Sequence, residues 1–179
     1  MTATTNTHEL RTRTHTWQQP VPWATAGDLT GLELLQKILK EEIPQPPIAG
    51  TLGLHLVEAG EGTATFDGEP GEHLLNPMGT VHGGFLATLL DSALGSAVAT
   101  VLPRGRAYTT MQLNVHMVRP AFAHTSRLRC EASVVHVGRT TATAEARVTG
   151  TTDGKLYAHA TTTCAIFTAP SAGPDRNTR

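Results

Sequence analysis

Apolar side chains set out the elements of this chain in order. From Thr30 the pattern is helical: Leu32, Leu35, Ile38 and Leu39 recur at three- and four-residue spacing, Thr30 and Glu33 form a capping box, and Pro44 stops the run. The segment 44–50, PQPPIAG, reads as a stiff linker. Leu52, Leu54 and Leu56, then Ala64 and Phe66, alternate on either side of Gly60-Glu61-Gly62 and predict two strands around a turn. Four further period-two runs follow: Thr109 to Met117, Leu128 to Val134, Ala142 to Val148, and Leu156 to Ile166. Their connections are short. Asp153-Gly154 is a hairpin signal, Gly138 sits in a turn and Pro120 ends the first run, so the sheet is expected to be mainly antiparallel.

Between the early and late strands lies a stretch of another kind. From Gly83 to Leu102 the only charged residue is Asp91, while Phe85, Leu86, Leu89, Leu90, Ala93, Leu94, Ala97, Val98 and Val101 leave almost no polar face. Such a helix is a membrane span or the wrapped centre of a fold. A mid-length carboxylate and the interspersed Thr88, Ser92, Gly95, Ser96 and Thr100 favour the wrapped centre. Many inward strand positions are Ala, which lets a sheet approach a helix closely. One long helix covered by an antiparallel sheet is an α+β architecture. The domain is expected over residues 29–168, preceded by a Thr-rich, aperiodic polar arm, 1–28, broken by Pro20 and Pro22, and followed by a polar tail, 169–179.

At 179 residues, 16% of them charged, the chain is long enough for one well-cored domain and short for two. A formal charge of -1 supplies no global field toward nucleic acid or anionic lipid, so neither is an expected partner. Two cysteines, Cys130 and Cys164, are too few for a disulfide framework and are not spaced as metal-binding pairs; with no apolar run of signal-peptide length in the first thirty residues, a cytoplasmic location is expected. The chain contains no H-E-x-x-H, Walker, Rossmann or G-x-S-x-G pattern, and its nine histidines are scattered. Metal sites, nucleotide cofactors and a serine-hydrolase elbow therefore find no support.

Asp91 is the residue that needs explaining. A carboxylate on an otherwise apolar helix is costly to desolvate unless it is satisfied, either by a structural bond to a loop or by a role in chemistry as a proton acceptor. At the N-terminus of the same helix stand His82, Gly83 and Gly84. Free backbone N–H groups and the positive dipole end attract an oxyanion there, and glycine permits close approach, although the same triplet also serves as a plain helix entry.

The stretch Asn76 to Gly95, NPMGTVHGGFLATLLDSALG, resembles the signature of the hotdog-fold acyl-CoA thioesterases of the phenylacetate-degradation and human thioesterase superfamily member 2 type. Asn76, Gly79, His82, Gly83, Gly84 and Asp91 stand at that family's spacing, the next strand ends in its Arg119-Pro120 pair, and the likeness runs from about Leu52 to Phe167. The resemblance implies a hotdog fold and an acyl-CoA substrate, with coenzyme A part of the substrate and no separate cofactor. It implies Asp91 as general base or nucleophile, the Gly83 N–H as oxyanion donor, and Asn76 as a donor to the carbonyl or a holder of water. His82 would orient the loop, and Thr110 would position water near the acid, with Thr109 the neighbouring alternative. Gly84, Arg119 and the turn Val137, Gly138, Arg139 and Thr140 are implied as substrate-binding, with Arg104 a further candidate cation; Phe85, Leu89 and Leu90 are candidate acyl-pocket residues, although large apolar side chains on such a helix more often belong to the core.

Gly83 and Asp91 are eight residues apart on one helix, about 12 Å at 1.5 Å per residue, whereas acid and oxyanion donor must both reach a single carbonyl. Two antiparallel helices about a two-fold axis would bring Asp91 of one chain beside Gly83 of the other. A homodimer is therefore the expected minimum, and the resemblance implies homotetramers. The rival expectations are a hotdog acyl-CoA hydratase or dehydratase and a non-catalytic acyl-CoA-binding protein.

Overall fold

The computed structural model describes residues 10–21 and 28–169. Helices α1 (Gly31–Leu39) and α2 (Pro47–Leu52) lead into strands β1 (Leu54–Gly60) and β2 (Thr63–Gly68). A single 3-10 turn, Glu72–Leu74, precedes the long helix α3 (Gly83–Thr100), and β3 (Arg106–Met117), β4 (Leu128–Val137), β5 (Thr141–Gly150) and β6 (Leu156–Thr168) complete the domain. The six strands form one antiparallel sheet in the order β1-β2-β4-β5-β6-β3, curled around α3, which packs on every strand. This is the α+β hotdog architecture.

The all-round apolar character of α3 follows from that wrapping. Leu89, Leu90, Ala93, Leu94, Ala97 and Val98 are fully buried, and the sheet meets them largely with alanines: Ala132, Ala142, Ala144, Ala146, Ala158 and Ala160. The small side chains let the strands close on the helix without voids, so enlarging one of them would force the sheet outward. Burial of each α3 leucine contributes about 1.5–3 kcal/mol. Among the described residues α3 is the one helix long and apolar enough to cross a membrane, and most of it is covered by protein.

The capping box at the start of α1 forms as expected: the Glu33 N–H donates to Thr30 Oγ1 at 3.2 Å, and the Thr30 N–H donates to Glu33 Oε2 at 2.7 Å. One expectation is overturned. Residues Pro47–Leu52 are helical, so Leu52 belongs to α2 rather than to the first strand, and the linker is shorter than 44–50. Pro47 at the first helical position has the backbone torsion a helix needs and no N–H to leave unpaired, and Gly53, at φ 69°, ends the helix in a conformation that glycine adopts without strain. Of the expected arm, residues 10–21 run without helix or strand, and Arg11 lies 3.9 Å from Glu72. Residues 1–9 and 22–27 of the arm, and all of the expected tail beyond residue 169, lie outside the described residues.

Candidate active site

Because the sheet curls around α3, both of its ends contribute to one cleft beside the helix, and α1 and α2 close over it. The cleft has a volume of about 630 Å³. Leu35 and Ile38 of α1, Ile48 of α2, Leu56 of β1, Phe66 of β2 and Phe167 of β6 make it predominantly apolar. Asp91 stands in its wall, half-buried rather than sunk in the core as the sequence suggested. Its Oδ1 accepts a hydrogen bond of 2.9 Å from the Thr110 hydroxyl of β3. Thr109 lines the same cleft without bonding to Asp91, so of the two adjacent threonines it is Thr110 that orients the carboxylate.

The entry of α3 is built differently. His82 is the N-cap: its Nδ1 accepts the Gly84 N–H at 2.8 Å. That bond commits Gly84's donor and fixes the His82 ring as a helix cap, the structural role that was one reading of a histidine here. The Gly83 N–H has no hydrogen-bond partner among the described residues, so at this helix tip it is a donor available to an oxyanion. Asn76 organises the loop that leads in. Its Oδ1 accepts the N–H groups of Met78 (2.9 Å) and Thr80 (3.2 Å), and its Nδ2 donates to Thr80 Oγ1 at 2.8 Å. Asn76 and Gly83 line a second, smaller cleft of about 250 Å³ together with Met117, Arg119 and Pro120.

One chain thus brings together Asp91 and Thr110 in one cleft and Asn76, Gly83 and Arg119 in another; it does not bring the two sets together. The remaining candidates are dispersed. The turn Val137, Gly138, Arg139 and Thr140 joins β4 to β5, closed by the Gly138 N–H donating to the Thr141 carbonyl at 2.8 Å, and Arg106 Nη2 donates to the Arg139 carbonyl at 3.1 Å. Along the sheet this turn shares a transverse row with the Asp91 partner: Thr110 pairs with Cys164, Cys164 with Ala142, and Ala142 with Val137. Three strand spacings separate the ends of that row, about 14 Å. Arg104 is engaged by Glu33 at 3.0 Å, which removes it as a free cation. Phe85, Leu89 and Leu90, candidates for an acyl pocket or for the core, are core residues at 3%, 0% and 0% exposure and line neither cleft. They face the strands because an apolar helix wrapped by a sheet spends its large side chains on the core.

Sequence reasoning missed the residues that wall the Asp91 cleft. Leu35 and Ile38 were legible as the apolar stripe of an amphipathic helix, but not what that stripe covers. Ile48 was hidden in a segment read as linker. Tyr108, two residues before Thr110 on β3, also lines the cleft, and its ring lies against Gly95: a Cβ there would meet the phenol oxygen at 2.6 Å. Burial pushes the Tyr108 phenol well above the ordinary tyrosine range, so its hydroxyl keeps its proton near neutral pH.

Comparison with known proteins bears on this geometry. Residues 78–157 match the thioesterase superfamily. A phenylacetic acid degradation-related protein from Ralstonia eutropha JMP134 has a crystal structure that superposes with a TM-score of 0.66 at 34% identity, covering 73% of this chain and 98% of that one. A mutant of the phenylacetic acid degradation protein PaaI from Thermus thermophilus superposes at 0.61 with 33% identity, over 67% of this chain and 98% of that one. The E. coli PaaI protein, at 22% identity and a TM-score of 0.68, over 79% of this chain and 97% of that one, shares the fold. A protein of Halobacterium salinarum provisionally assigned as an esterase is 47% identical over 72 residues, 39% of this chain; the match spans less than half, 46%, of that curated relative.

Proposed function

The chain belongs to the thioesterase superfamily, and from that premise we propose that it hydrolyses the thioester of an acyl-coenzyme A to the free acid and coenzyme A, at a site shared between two subunits. The observation that carries the proposal is the division of the candidate residues: an oriented carboxylate in one cleft and an unengaged helix-tip N–H in another, about 12 Å apart along one helix. Each half is incomplete alone. Antiparallel apposition of two α3 helices would place Asp91 of one subunit and Gly83 of its partner at the same thioester. Strand β3 supports this arrangement. It is an edge strand of twelve residues that exposes Met111, Met117 and, just beyond its end, Val118, a profile that isolated soluble chains avoid. Dimers are the proposed minimum, and pairing of dimers into tetramers the proposed larger assembly.

In this reading the Gly83 N–H stabilises the charge that develops on the carbonyl oxygen, worth about 3 kcal/mol for one well-placed donor. Asp91, held by Thr110, takes a proton from water as the water oxygen bonds to the carbonyl carbon, and returns it to the coenzyme A thiolate as the carbon–sulfur bond breaks; alternatively Asp91 bonds to that carbon itself, the thiolate leaves and takes a proton from solvent, and water then hydrolyses the resulting mixed anhydride to free acid and carboxylate. Asn76 holds the loop that presents the tip. The Val137–Thr140 turn and Arg139 supply N–H groups and a cation for the coenzyme A phosphates, at a separation from Thr110 that a pantetheine arm can span. The test is release of free thiol from a panel of acyl-CoAs by the wild type and by Asp91→Asn. Thiol release that the substitution lowers by about two orders of magnitude or more supports the proposal. Binding without turnover by the wild type would contradict it.

A further inference from the structure

A further cleft, of about 480 Å³, adjoins the one at the helix tip: Arg119 and Pro120 line both. It lies between the loop that follows β3 and the β5–β6 hairpin. Its loop wall is an aryl face, Phe122 and His124, whose rings stack with centroids 5.5 Å apart and planes 9° from parallel. Phe122 is 39% exposed there, a cost that an aromatic ligand would offset. The turn beneath the rings is closed twice: the Phe122 N–H donates to Thr125 Oγ1 at 2.8 Å, and the Thr125 N–H to the Phe122 carbonyl at 2.9 Å. The Val81 N–H, donating to the Ala121 carbonyl at 2.8 Å, ties this turn to the approach to Gly83. Across the cleft Asp153 has both oxygens engaged, Oδ1 by the Lys155 N–H at 3.0 Å and Oδ2 by the Tyr157 hydroxyl at 3.1 Å, with the Lys155 ammonium 3.8 Å away. Arg119 makes no side-chain hydrogen bond or ion pair among the described residues, so its guanidinium is the uncommitted cation of the cleft.

The shared site aims a substrate at this cleft. Asp91 is bonded to Thr110, and Gly83 lies against Met117 at the far end of β3. Bringing Asp91 of one subunit to Gly83 of its partner therefore sets Thr110 of the first opposite Met117 of the second. The antiparallel run of the two edge strands then sets Arg106 of the first opposite the segment of the second that begins at Arg119. Arg106 Nη2 holds the Arg139 carbonyl at 3.1 Å, so the Val137–Thr140 turn of one subunit comes beside the aryl-lined cleft of the other. That turn has N–H groups and one cation for a pyrophosphate, but no aromatic ring for a base and no second cation for a phosphate on the ribose. From this juxtaposition we propose that the cleft takes the adenosine 3′-phosphate end of coenzyme A, the adenine stacked on Phe122 and His124 and the 3′-phosphate held by Arg119. The inference rests on the thioesterase reading and on its site shared between subunits. An aromatic face accepts the π-face of a base, a guanidinium meets a phosphate in two parallel hydrogen bonds, and the volume falls in the range of small-ligand pockets.

The experiment measures kcat/KM for the acyl group turned over fastest in the panel, carried on coenzyme A, on 3′-dephospho-coenzyme A and on 4′-phosphopantetheine, in the wild type, Arg119→Gln and Phe122→Leu. In the wild type, loss of the 3′-phosphate should lower kcat/KM about tenfold or more, chiefly through KM. Arg119→Gln should bring that ratio to within about twofold of unity. Phe122→Leu should cut the advantage of the dephospho-coenzyme over phosphopantetheine about fivefold or more. Equal rates for the coenzyme A and 3′-dephospho thioesters in an active wild type would overturn the inference and leave the thioesterase reading intact. A preference that survives Arg119→Gln, or a nucleotide advantage unchanged in Phe122→Leu, would do the same. Calorimetry with adenosine 3′,5′-bisphosphate separates the substrate from a free nucleotide as the source of this chemistry. Binding to an active wild type whose rates ignore the 3′-phosphate would make the cleft a free-nucleotide site and overturn its assignment to the substrate. Absence of thiol release from all three carriers and from the wider acyl-CoA panel would overturn both readings.

Discussion

Replacing Gly83 by proline deletes one backbone N–H and little else, which makes it a sharp probe of the oxyanion donor. Gly83 is the first helical residue after the N-cap, a position where proline is accommodated because its N–H has no intrahelical partner. His82 already has φ -62° and ψ 135°, the extended backbone that a residue before proline adopts, and the His82 cap on the Gly84 N–H is untouched. A Cβ at position 83 would meet Met117, with Sδ at 2.6 Å. Met117 is half exposed and flexible, so the change is made together with Met117→Ala, with Met117→Ala alone as the control. Loss of a single oxyanion donor costs about 10²–10³ in kcat, about 3–4 kcal/mol of barrier. Steady-state thiol release should show kcat lowered by that factor relative to the control, with thermal unfolding midpoints of the two proteins close together. A folded Gly83→Pro/Met117→Ala protein that retains kcat within about threefold of the control would refute the assignment of this N–H.

Other expectations follow from particular contacts. Thr110→Val keeps the shape and removes the 2.9 Å bond to Asp91, so kcat should fall about tenfold while Thr110→Ser retains most of it; kinetics on both variants decide. Asp67 is 1% exposed and held by Arg129 at 2.8 and 2.9 Å, with Arg127 at 3.8 Å. Arg129→Met leaves a carboxylate buried with one distant cation and should cost about 3–5 kcal/mol in urea unfolding, more than Asp67→Asn, because the guanidinium left behind in the latter is half exposed and resolvates. Glu33 is held below the ordinary glutamate value of 4.5 by the Thr30 backbone N–H and then by Arg104. A carboxyl lowered in the fold contributes stability above its unfolded value and loses it as pH falls through the folded one. The stability difference between wild type and Glu33→Gln should therefore be full at neutral pH and shrink below about pH 4.5, which a pH series of thermal melts would show.

The fold was legible where one physical constraint dominated. An 18-residue apolar helix with no polar face and alanine-rich alternating strands admit few packings other than a wrapped helix, and the Thr30–Glu33 box marked α1 to the residue. Legibility ended where two signals shared the same residues. Leu52 fits an alternating strand as well as the end of a short helix, and only the prolines before it, read as breakers rather than as a helix start, could have separated the two. In the site, Asp91 and Gly83 stood out through chemistry that is rare in their setting, whereas Thr110 was marked by the family resemblance alone. The cleft walls did not, because which apolar residues face a chamber and which face the core depends on how α1 and α2 fold back over the sheet, and no local periodicity carries that information. Phe85, Leu89 and Leu90, candidates for either role, are core.

The shared site itself is open to one decisive measurement, complementation between two inactive chains. Asp91→Asn lacks the acid and Gly83→Pro/Met117→Ala lacks the donor; dissociated, mixed in equal amounts and allowed to reassociate, they would form hybrids in half of the dimers. Each hybrid would hold one site with both wild-type groups and one with neither, and the Met117→Ala change would fall in the latter, so the account predicts recovery to about one quarter of wild-type activity. Activity that stays at the average of the two parents, with hybrid formation verified by mass, would place acid and donor on the same chain and contradict the account.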